Sequence, residues 1–417
     1  MKKKLFTLAI TVTMMAMVTA CGDDKAQQSS KEDAKGDNKQ EVVETTTEET
    51  VVFIIPEGGE YRLSETGETL EAGDPMPLEA KKGDRYNYGE YKYSMTGEGW
   101  KVEMKSYDDC RDKTSFGEIF DSIAGAPIVD VSGLFTGCAA MTKSPTIPST
   151  VTDVSYTYNG CTSLVEVPEL PSGVTNMEST FFACQSLVDA PRSPSGVTNM
   201  KSTFSECRSM VKAPELPSGV IDMESTFYGC ISLVEAPEIP TSVTNMESTF
   251  KNCESMVEAP EIPAGVTNMK STFKYCEKLV EAPEIPATVT EMNSAFYGCK
   301  SLEKAFSIPN GVESIREVFY GCENLVEAPE IPDSITDMTM AFYDCVNMVK
   351  APSTIPAGVR KMERAFFNCT SLTGTITINA DPSAIFACFA RIDFEGQNLE
   401  LTGESTMLER FMKTASN

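Results

Sequence analysis

Eleven of the fourteen cysteines follow a nearly constant spacing, and their thiols are the groups with the most evident chemistry in this chain. Each step is 23 residues except the last, which is 24. The series comprises Cys138, Cys161, Cys184, Cys207, Cys230, Cys253, Cys276, Cys299, Cys322, Cys345 and Cys369. Such a series could supply disulfides in an exported protein, or thiolate ligands for a metal. Which chemistry is available depends on how successive 23-residue units are arranged.

A fixed period of this length predicts a solenoid, in which each unit stacks on the one before it. Units stacked in register place equivalent Cα atoms about 5 Å apart, a separation that a disulfide tolerates. The Cα–Cβ bonds are then nearly parallel, so the Cβ atoms stay farther apart than the ~3.8 Å that a disulfide prefers. An odd number also leaves one cysteine over. We therefore expect buried free thiols that act as small apolar fillers in one structural core column.

Metal binding is disfavoured because the chain has neither a histidine nor a Cys-x-x-Cys pair. No metal, other cofactor or catalytic residue is therefore assigned. Cys110 and Cys388 stand off the regular spacing, and the sequence does not assign them a role.

Carboxylates form the second set of residues with possible chemistry. In three consecutive units a glutamate lies two residues before a proline and another directly after it. These six are Glu235, Glu238, Glu258, Glu261, Glu281 and Glu284. The plain interpretation is a solvated face that keeps the protein soluble. The sharper hypothesis is a strip that binds a basic protein segment or divalent cations.

Composition narrows the functional classes further. The net charge of −26 argues against binding nucleic acid or anionic lipid directly. The lack of histidine removes the usual general base and every Ser-His or Cys-His nucleophile. Paired carboxylates could hydrolyse a glycan. Identical repeated carboxylates, however, give no difference in pKa between an acid and a base, so we do not expect an enzyme.

One unit, from Cys230 to Cys253, predicts the structure of the others. Val243, Met246, Phe250 and Cys253 are spaced as on one face of a short helix. The preceding half contains two prolines in four residues, which favours a short extended segment. A residue before many of the cysteines suits a left-handed helix end, namely Gly137, Gly160, Gly229, Asn252, Gly298, Gly321 and Asn368. We therefore predict an α/β solenoid of about eleven such units.

The repeated pattern resembles the BspA-like leucine-rich repeats of bacterial surface proteins. One complete copy is Leu279, Ile285-Pro286, Val289, Met292 and Phe296-Tyr297-Gly298-Cys299. The resemblance covers residues 119–372 and depends on many recurrences of the same pattern. It implies a binding or adhesion role at the cell surface, without catalysis. The unit that begins at Cys345 carries one extra residue, so we expect a local irregularity there.

The N-terminus has the pattern of an exported lipoprotein. Lys2 to Lys4 precede an apolar run that ends in Val18-Thr19-Ala20-Cys21, which resembles a bacterial lipobox. Residues 1–21 are then a signal peptide, and Cys21 carries the lipid that anchors the protein at the outer face of the membrane. A plain secretory signal with an incidental cysteine is the alternative. Residues 22–50 are polar and acidic, and we expect a disordered tether there.

The remaining segments should protect the two ends of the solenoid. Residues 51–121 predict a small β-rich module, with a turn between Tyr88 and Tyr91. Its tyrosines and Trp100 are read as the half-buried face of a small sheet, with a glycan-binding platform as the alternative. The solenoid itself occupies residues 122–372. Residues 373–417 form a C-terminal cap that ends in a short helix from Thr406 to Thr414.

The sequence therefore predicts a monomeric cell-surface lipoprotein with a non-catalytic repeat surface that binds a protein or a glycan. A structural spacer of the cell envelope is the alternative from a different class. A glycan-active enzyme is a weaker alternative.

Overall fold

The computed structural model describes residues 53–108, 110–404, 406 and 408–411. The predicted signal peptide, the lipid attachment at Cys21 and the tether lie outside these residues and stay predictions. No helix within the described residues is both long and apolar enough to span a bilayer.

A mixed sheet of seven strands opens the described chain. Its strands are β1 (Glu60–Arg62), β2 (Thr69–Glu71), β3 (Arg85–Tyr88), β4 (Tyr91–Met95), β5 (Trp100–Met104), β6 (Ser122–Ile123) and β7 (Ala126–Asp130). Their order across the sheet is β2-β1-β3-β4-β5-β7-β6. The strands β3 and β4 pair antiparallel about the turn at Gly89, as the sequence predicts. Among the described strands of this sheet, β5 and β7 are the one parallel pair.

The aromatic side chains of this sheet are buried, so the glycan-binding platform is wrong. Tyr86, Tyr91, Tyr93 and Trp100 are at most 1% exposed. The indole Nε1 of Trp100 donates a hydrogen bond to the carbonyl oxygen of Ile123 at 2.9 Å. The ring of Tyr91 lies edge-on to Phe135, the first aromatic side chain of the solenoid, with centroids 6.4 Å apart. The sheet therefore covers the apolar N-terminal end of the stack.

The solenoid begins in β7 and continues as parallel pairing at intervals of one unit. We call each unit a rung. One column of backbone bridges runs through Asp130, Asp153, Asn176, Asn199, Asp222, Asn245, Asn268 and Glu291. A second column includes Lys212 paired with Glu235, and Glu258 paired with Glu281. The second column lies in the expected extended segment, which is thus present as single bridged residues. The first column lies in the half of the rung for which the sequence predicts a helix.

The other half of each rung is a series of turns, so the predicted short helix is wrong. In residues 246–253, the amides of Met246, Ser248 and Phe250 donate to carbonyls of the next rung at 2.9 Å. Among the intervening amides, those of Thr249, Lys251 and Cys253 donate three residues back, as Thr249 does to Met246 at 3.1 Å. The Glu247 amide donates instead to the side-chain Oδ1 of Asn245 at 3.1 Å. Ser248 is left-handed, with φ of 56°. A right-handed helix tolerates neither the left-handed residue nor the loss of alternate amides to a neighbouring rung.

The position before each cysteine is left-handed, as expected from the sequence. Gly229, Asn252 and Gly298 have φ of 72°, 62° and 72°. The same conformation recurs at residues without the usual preference for it, including Glu206 and Tyr275. The left-handed residue closes a turn in each rung and does not end a helix.

Side chains from equivalent positions form continuous buried columns. The core phenylalanines stack with their ring planes nearly parallel. The ring centroids of Phe181 and Phe204 are 5.5 Å apart, and the angle between the two planes is 2°. The column continues past Phe366 to Phe389, whose centroid is 5.1 Å from that of Phe366. The equivalent methionines, such as Met223 and Met246, are fully buried. These columns account for the strict repetition of residue type along the sequence.

The cysteine column is mostly thiol, with one exception. Ten of its eleven members are buried and free, and so is Cys388. Cys138 forms a disulfide with Cys110, so the expectation of a free thiol is wrong at this position. Parallel Cα–Cβ bonds disfavour a disulfide only between cysteines on adjacent rungs. Cys110 approaches Cys138 from a loop of the N-terminal module, so this restriction does not apply to it. The free thiols also do more than fill space. Cys253 Sγ, for example, donates to the carbonyl oxygen of Phe227 at 3.2 Å.

The C-terminal end is a small parallel sheet. Its strands are β8 (Thr354–Ile355), β9 (Gly374–Ile378) and β10 (Leu399–Gly403), in the order β10-β9-β8. The strand β8 lies in the rung that carries the extra residue, where the irregularity was expected. Residues 406 and 408–411 are helical. Phe411 packs edge-on to Phe389 with centroids 5.8 Å apart, which covers the end of the aromatic column.

We predict that Gly298→Ala destabilises the protein more than Gly321→Ala does. Both glycines are left-handed, with φ of 72° and 67°, so both variants incur the strain of about 1–2 kcal/mol for a side chain in that region. A Cβ at Gly298 additionally lies 2.6 Å from Cδ1 of Tyr275, whereas one at Gly321 meets nothing closer than 3.8 Å. Urea unfolding of both variants measures the difference. Adding Tyr275→Ala to both variants should remove the difference in stability between them. Equal losses of stability in the two single variants would contradict a close contact between residue 298 and Tyr275.

We also predict that stability falls steeply above about pH 8.5. Burial raises the pKa of the Cys161 thiol to about 12, and burial raises the pKa of Cys184 and Cys253 well above the usual value. The unfolded thiols ionise near pH 8.5, so above this pH the unfolded state holds fewer protons. Stability that is fully present below pH 8.5 is therefore lost as the pH rises toward 12. Each thiol contributes a slope of about 1.4 kcal/mol per pH unit.

Thermal unfolding midpoints at pH 7.5 and pH 9.5 test this dependence. The double variant Cys253→Ala, Cys276→Ala is less stable at both pH values, because it leaves cavities. It should nevertheless show a smaller drop between them. An unchanged midpoint in the wild type at pH 9.5 would rule out the thiol contribution.

Candidate interaction surface

The six glutamates predicted from the sequence do lie on one face of the solenoid. Their two positions flank the first proline of the extended segment, and in-register pairing stacks equivalent positions on successive rungs. Glu258, for example, is bridged through its backbone to Glu281. All six side chains are exposed. We call the column of Glu235, Glu258 and Glu281 the first acidic row, and that of Glu238, Glu261 and Glu284 the second.

Lysines from adjoining rungs neutralise the two ends of the first acidic row. Lys212 Nζ lies 3.0 Å from Glu235, and Lys304 Nζ lies 2.9 Å from Glu281. Glu258 is the middle member of the row. No described cation lies within ion-pair distance of Glu258 or of the second row. The uncompensated charge is therefore concentrated in four carboxylates, fewer than the sequence suggests.

The second acidic row borders a groove. Three adjoining depressions of about 490, 630 and 460 Å³ share lining residues and extend from the rung of Glu169 to that of Glu261. Apolar side chains such as Leu216 and Ile239 line the groove together with the prolines. Glu215, Glu238 and Glu261 lie along it. We call this feature the proline groove.

The local sequence explains how the groove is held. The carbonyl of the second proline accepts a hydrogen bond from the amide of a valine, or of Ile335 on one rung, three residues later. An example is the 3.0 Å bond from the Val243 amide to the Pro240 carbonyl. This turn recurs on each rung from Pro148–Val151 to Pro356–Val359. Proline fixes φ and donates no hydrogen bond, so its segment remains extended at the surface. The carboxylates thus project from a preorganised backbone.

The chemical environment suits binding more than catalysis. All six carboxylates are exposed to solvent, whereas a catalytic acid needs a desolvated site. The residues that the structure describes contain no group of three acidic or cysteine side chains arranged to hold a metal ion.

A second surface column is aromatic, and sequence reasoning missed it. The rings of Tyr297, Tyr320, Tyr343 and Phe367 stack with interplanar angles of 2–7° and centroid separations of 4.3, 4.5 and 4.6 Å. Lys274 Nζ lies 3.8 Å from the ring centroid of Tyr297. The guanidinium of Arg391 lies 5.1 Å from that of Phe367. Because the ring faces cover one another or carry a cation, this column stabilises the stack and leaves no open face for a sugar.

The family of the chain follows from the repeats. A model of the BspA type leucine rich repeat region matches with six copies, over residues 131–256, 193–303 and 290–395. This chain belongs to the BspA-type leucine-rich repeat family. The match extends into residues 384–390, where the structure also continues the register of the rungs past Phe366. Among curated proteins, none matches the sequence significantly.

Several solved structures are similar to this chain at low sequence identity. A leucine-rich repeat protein from Bacteroides ovatus is 20% identical, with 76% of this chain and 90% of that chain covered and a TM-score of 0.46. A leucine rich cell surface protein from Faecalibacterium prausnitzii is 18% identical, with coverage of 78% and 96% and a TM-score of 0.44. The pneumococcal vaccine antigen PcpA is 15% identical, with coverage of 81% and 97% and a TM-score of 0.44.

We predict that Glu258→Lys makes the protein slightly more stable. The substitution places a cation between Glu235 and Glu281 and removes like-charge repulsion between rungs. The gain is small because exposed ion pairs contribute little. The midpoint of urea unfolding at low ionic strength measures it, with Glu258→Gln as the control for loss of charge alone. A lower midpoint for the lysine variant than for the glutamine variant would contradict the arrangement.

Proposed function

We propose that this protein is a cell-surface lipoprotein whose solenoid binds a basic segment of another protein through the two acidic rows. The observation that carries the proposal is the repetition of exposed, largely uncompensated carboxylates on three consecutive rungs. Their backbone is fixed by hydrogen bonds between rungs, so little ordering is required on binding. Complementary charge speeds association and excludes acidic partners.

Export and anchoring complete the proposal. Acylation of Cys21 holds the mature protein at the membrane, and the polar residues 22–50 place the solenoid away from it. A disulfide between Cys110 and Cys138 supports an oxidising location. Membership of a leucine-rich repeat family supports a binding role over a catalytic one. The protein acts as a monomer, and a glycan ligand, an envelope spacer and an enzyme have less support from the geometry.

Substitution of all six glutamates by glutamine tests the site. The probe is a fluorescent twelve-residue oligolysine, and anisotropy measures its binding to the full chain. The variant should bind at least about tenfold more weakly than the wild type at low ionic strength. Binding to the wild type should also weaken as salt is added.

A matched control changes the net charge by the same amount elsewhere. Six exposed glutamates of the N-terminal module serve this purpose: Glu57, Glu68, Glu71, Glu79, Glu98 and Glu118. Their replacement by glutamine should leave affinity nearly unchanged. If both sextuple variants lose affinity equally, the probe senses only net charge and the acidic rows are a solubility device.

A further inference from the structure

A row of exposed valines runs beside the first acidic row and has no role in the core. Val165, Val188, Val211, Val234 and Val257 are 52%, 43%, 48%, 43% and 42% exposed, and Val280 is half-buried. The leucine or methionine just before each valine is fully buried. We call these six residues the valine stripe. Burial explains why an apolar residue recurs at the leucine or methionine position. It does not explain why valine recurs at the exposed position that follows.

The valine stripe is continuous and held in place by the backbone. The Val234 amide donates to the Val211 carbonyl at 2.9 Å, and the Val280 amide donates to the Val257 carbonyl at 3.3 Å. Six positions at one rung spacing give a length of about 24 Å. An unbroken apolar row of this extent, bordered by charge, is typical of an interaction surface.

A single charged residue ends the stripe. Glu303 occupies the equivalent position on the next rung and is exposed. Val326 and Val349 then resume the column, at 46% and 44% exposed. The two outlying valines have the same local structure but form a pair, not a row of six. They provide a natural internal control.

The charges beside the stripe restrict what can occupy it. Five of the six residues that directly follow the valines are acidic, namely Glu166, Asp189, Glu235, Glu258 and Glu281, and the sixth is Lys212. Lysines pair with Glu166, Glu235 and Glu281, which leaves Asp189 and Glu258 without an ion pair among the described residues. A second copy of the chain would bring like-charged rows together, and the net charge of −26 adds to this repulsion. An anionic membrane surface is disfavoured for the same reason. A cationic partner is favoured.

The spacing of the stripe indicates the form of that partner. An α-helix laid along the stripe presents one apolar side chain per turn every 5.4 Å, close to the rung spacing of about 4.8 Å. About 16 residues of helix cover the full length. Recognition of an amphipathic helix through its apolar face is a common binding mode.

We propose that the valine stripe binds an amphipathic helix of a partner protein, with its apolar face on the valines and lysine or arginine against the first acidic row. This inference rests on the proposed function, since it specifies the basic segment that the acidic rows recognise. It adds a requirement for apolar contact and for helical periodicity, which oligolysine does not have.

The test uses two synthetic 18-residue peptides of identical leucine and lysine content. In one, the leucines fall on a single helical face; in the other, they are distributed around the helix. Fluorescence anisotropy with the full chain measures binding, and circular dichroism measures the helix content of the bound peptide. We expect the amphipathic peptide to bind at least about tenfold more tightly and to gain helix on binding.

Variants of the chain locate the contact. Val211→Thr, Val234→Thr and Val257→Thr together keep the β-branched shape but remove apolar surface, and should abolish most of the preference for the amphipathic peptide. Val326→Thr with Val349→Thr should leave it unchanged. Equal binding of the two peptides, or an unaffected preference in the triple variant, would overturn the stripe as the site. Salt-sensitive oligolysine binding that persists in either case would leave the acidic rows standing.

Discussion

Backbone hydrogen bonds between successive rungs are the interaction on which the rest of this structure depends. In residues 246–253, alternate amides donate to the next rung, and the remainder close turns within their own rung. This division leaves few donors unused, which a buried backbone requires. It also fixes the register to one residue. Once the register is fixed, side chains at equivalent positions are obliged to stack, whether they point into the core or out to solvent.

The stacking has different consequences inside and outside. Inside, identical apolar side chains pack well against one another, so the phenylalanine, methionine and cysteine columns form a continuous core. Tyr91 and Phe411 cover its two ends. Outside, the same rule gathers like charges, because Glu258 has glutamates on the rungs to either side. Lys212 and Lys304 relieve the repulsion only at the ends of the first row. The chain thus keeps an arrangement that stability alone does not favour.

The repeat, its register, and the positions of the glutamates could be predicted from the sequence, because periodicity reports stacking directly. The turn conformation could not. The spacing of Met246, Phe250 and Cys253 fits a helix equally well, whereas the left-handed Ser248 and the hydrogen bonds to the next rung are visible only in the structure. The disulfide of Cys138 could not be predicted either, because its partner Cys110 lies in a loop whose path the periodicity does not indicate. The exposed valines were missed because an apolar residue beside a buried leucine is readily assigned to the core.

The Cys110–Cys138 disulfide has a mechanical consequence. A repeat stack resists sliding along its length but opens readily from an end, where each rung is held by one neighbour only. Tension applied through the N-terminus would enter the stack at the pairing of β5 with β7, a short parallel contact. The covalent link joins the module to the first rung across that junction. Unfolding under load would then have to begin beyond the first rung, because the disulfide, and not the β5–β7 pairing alone, carries the tension across this junction.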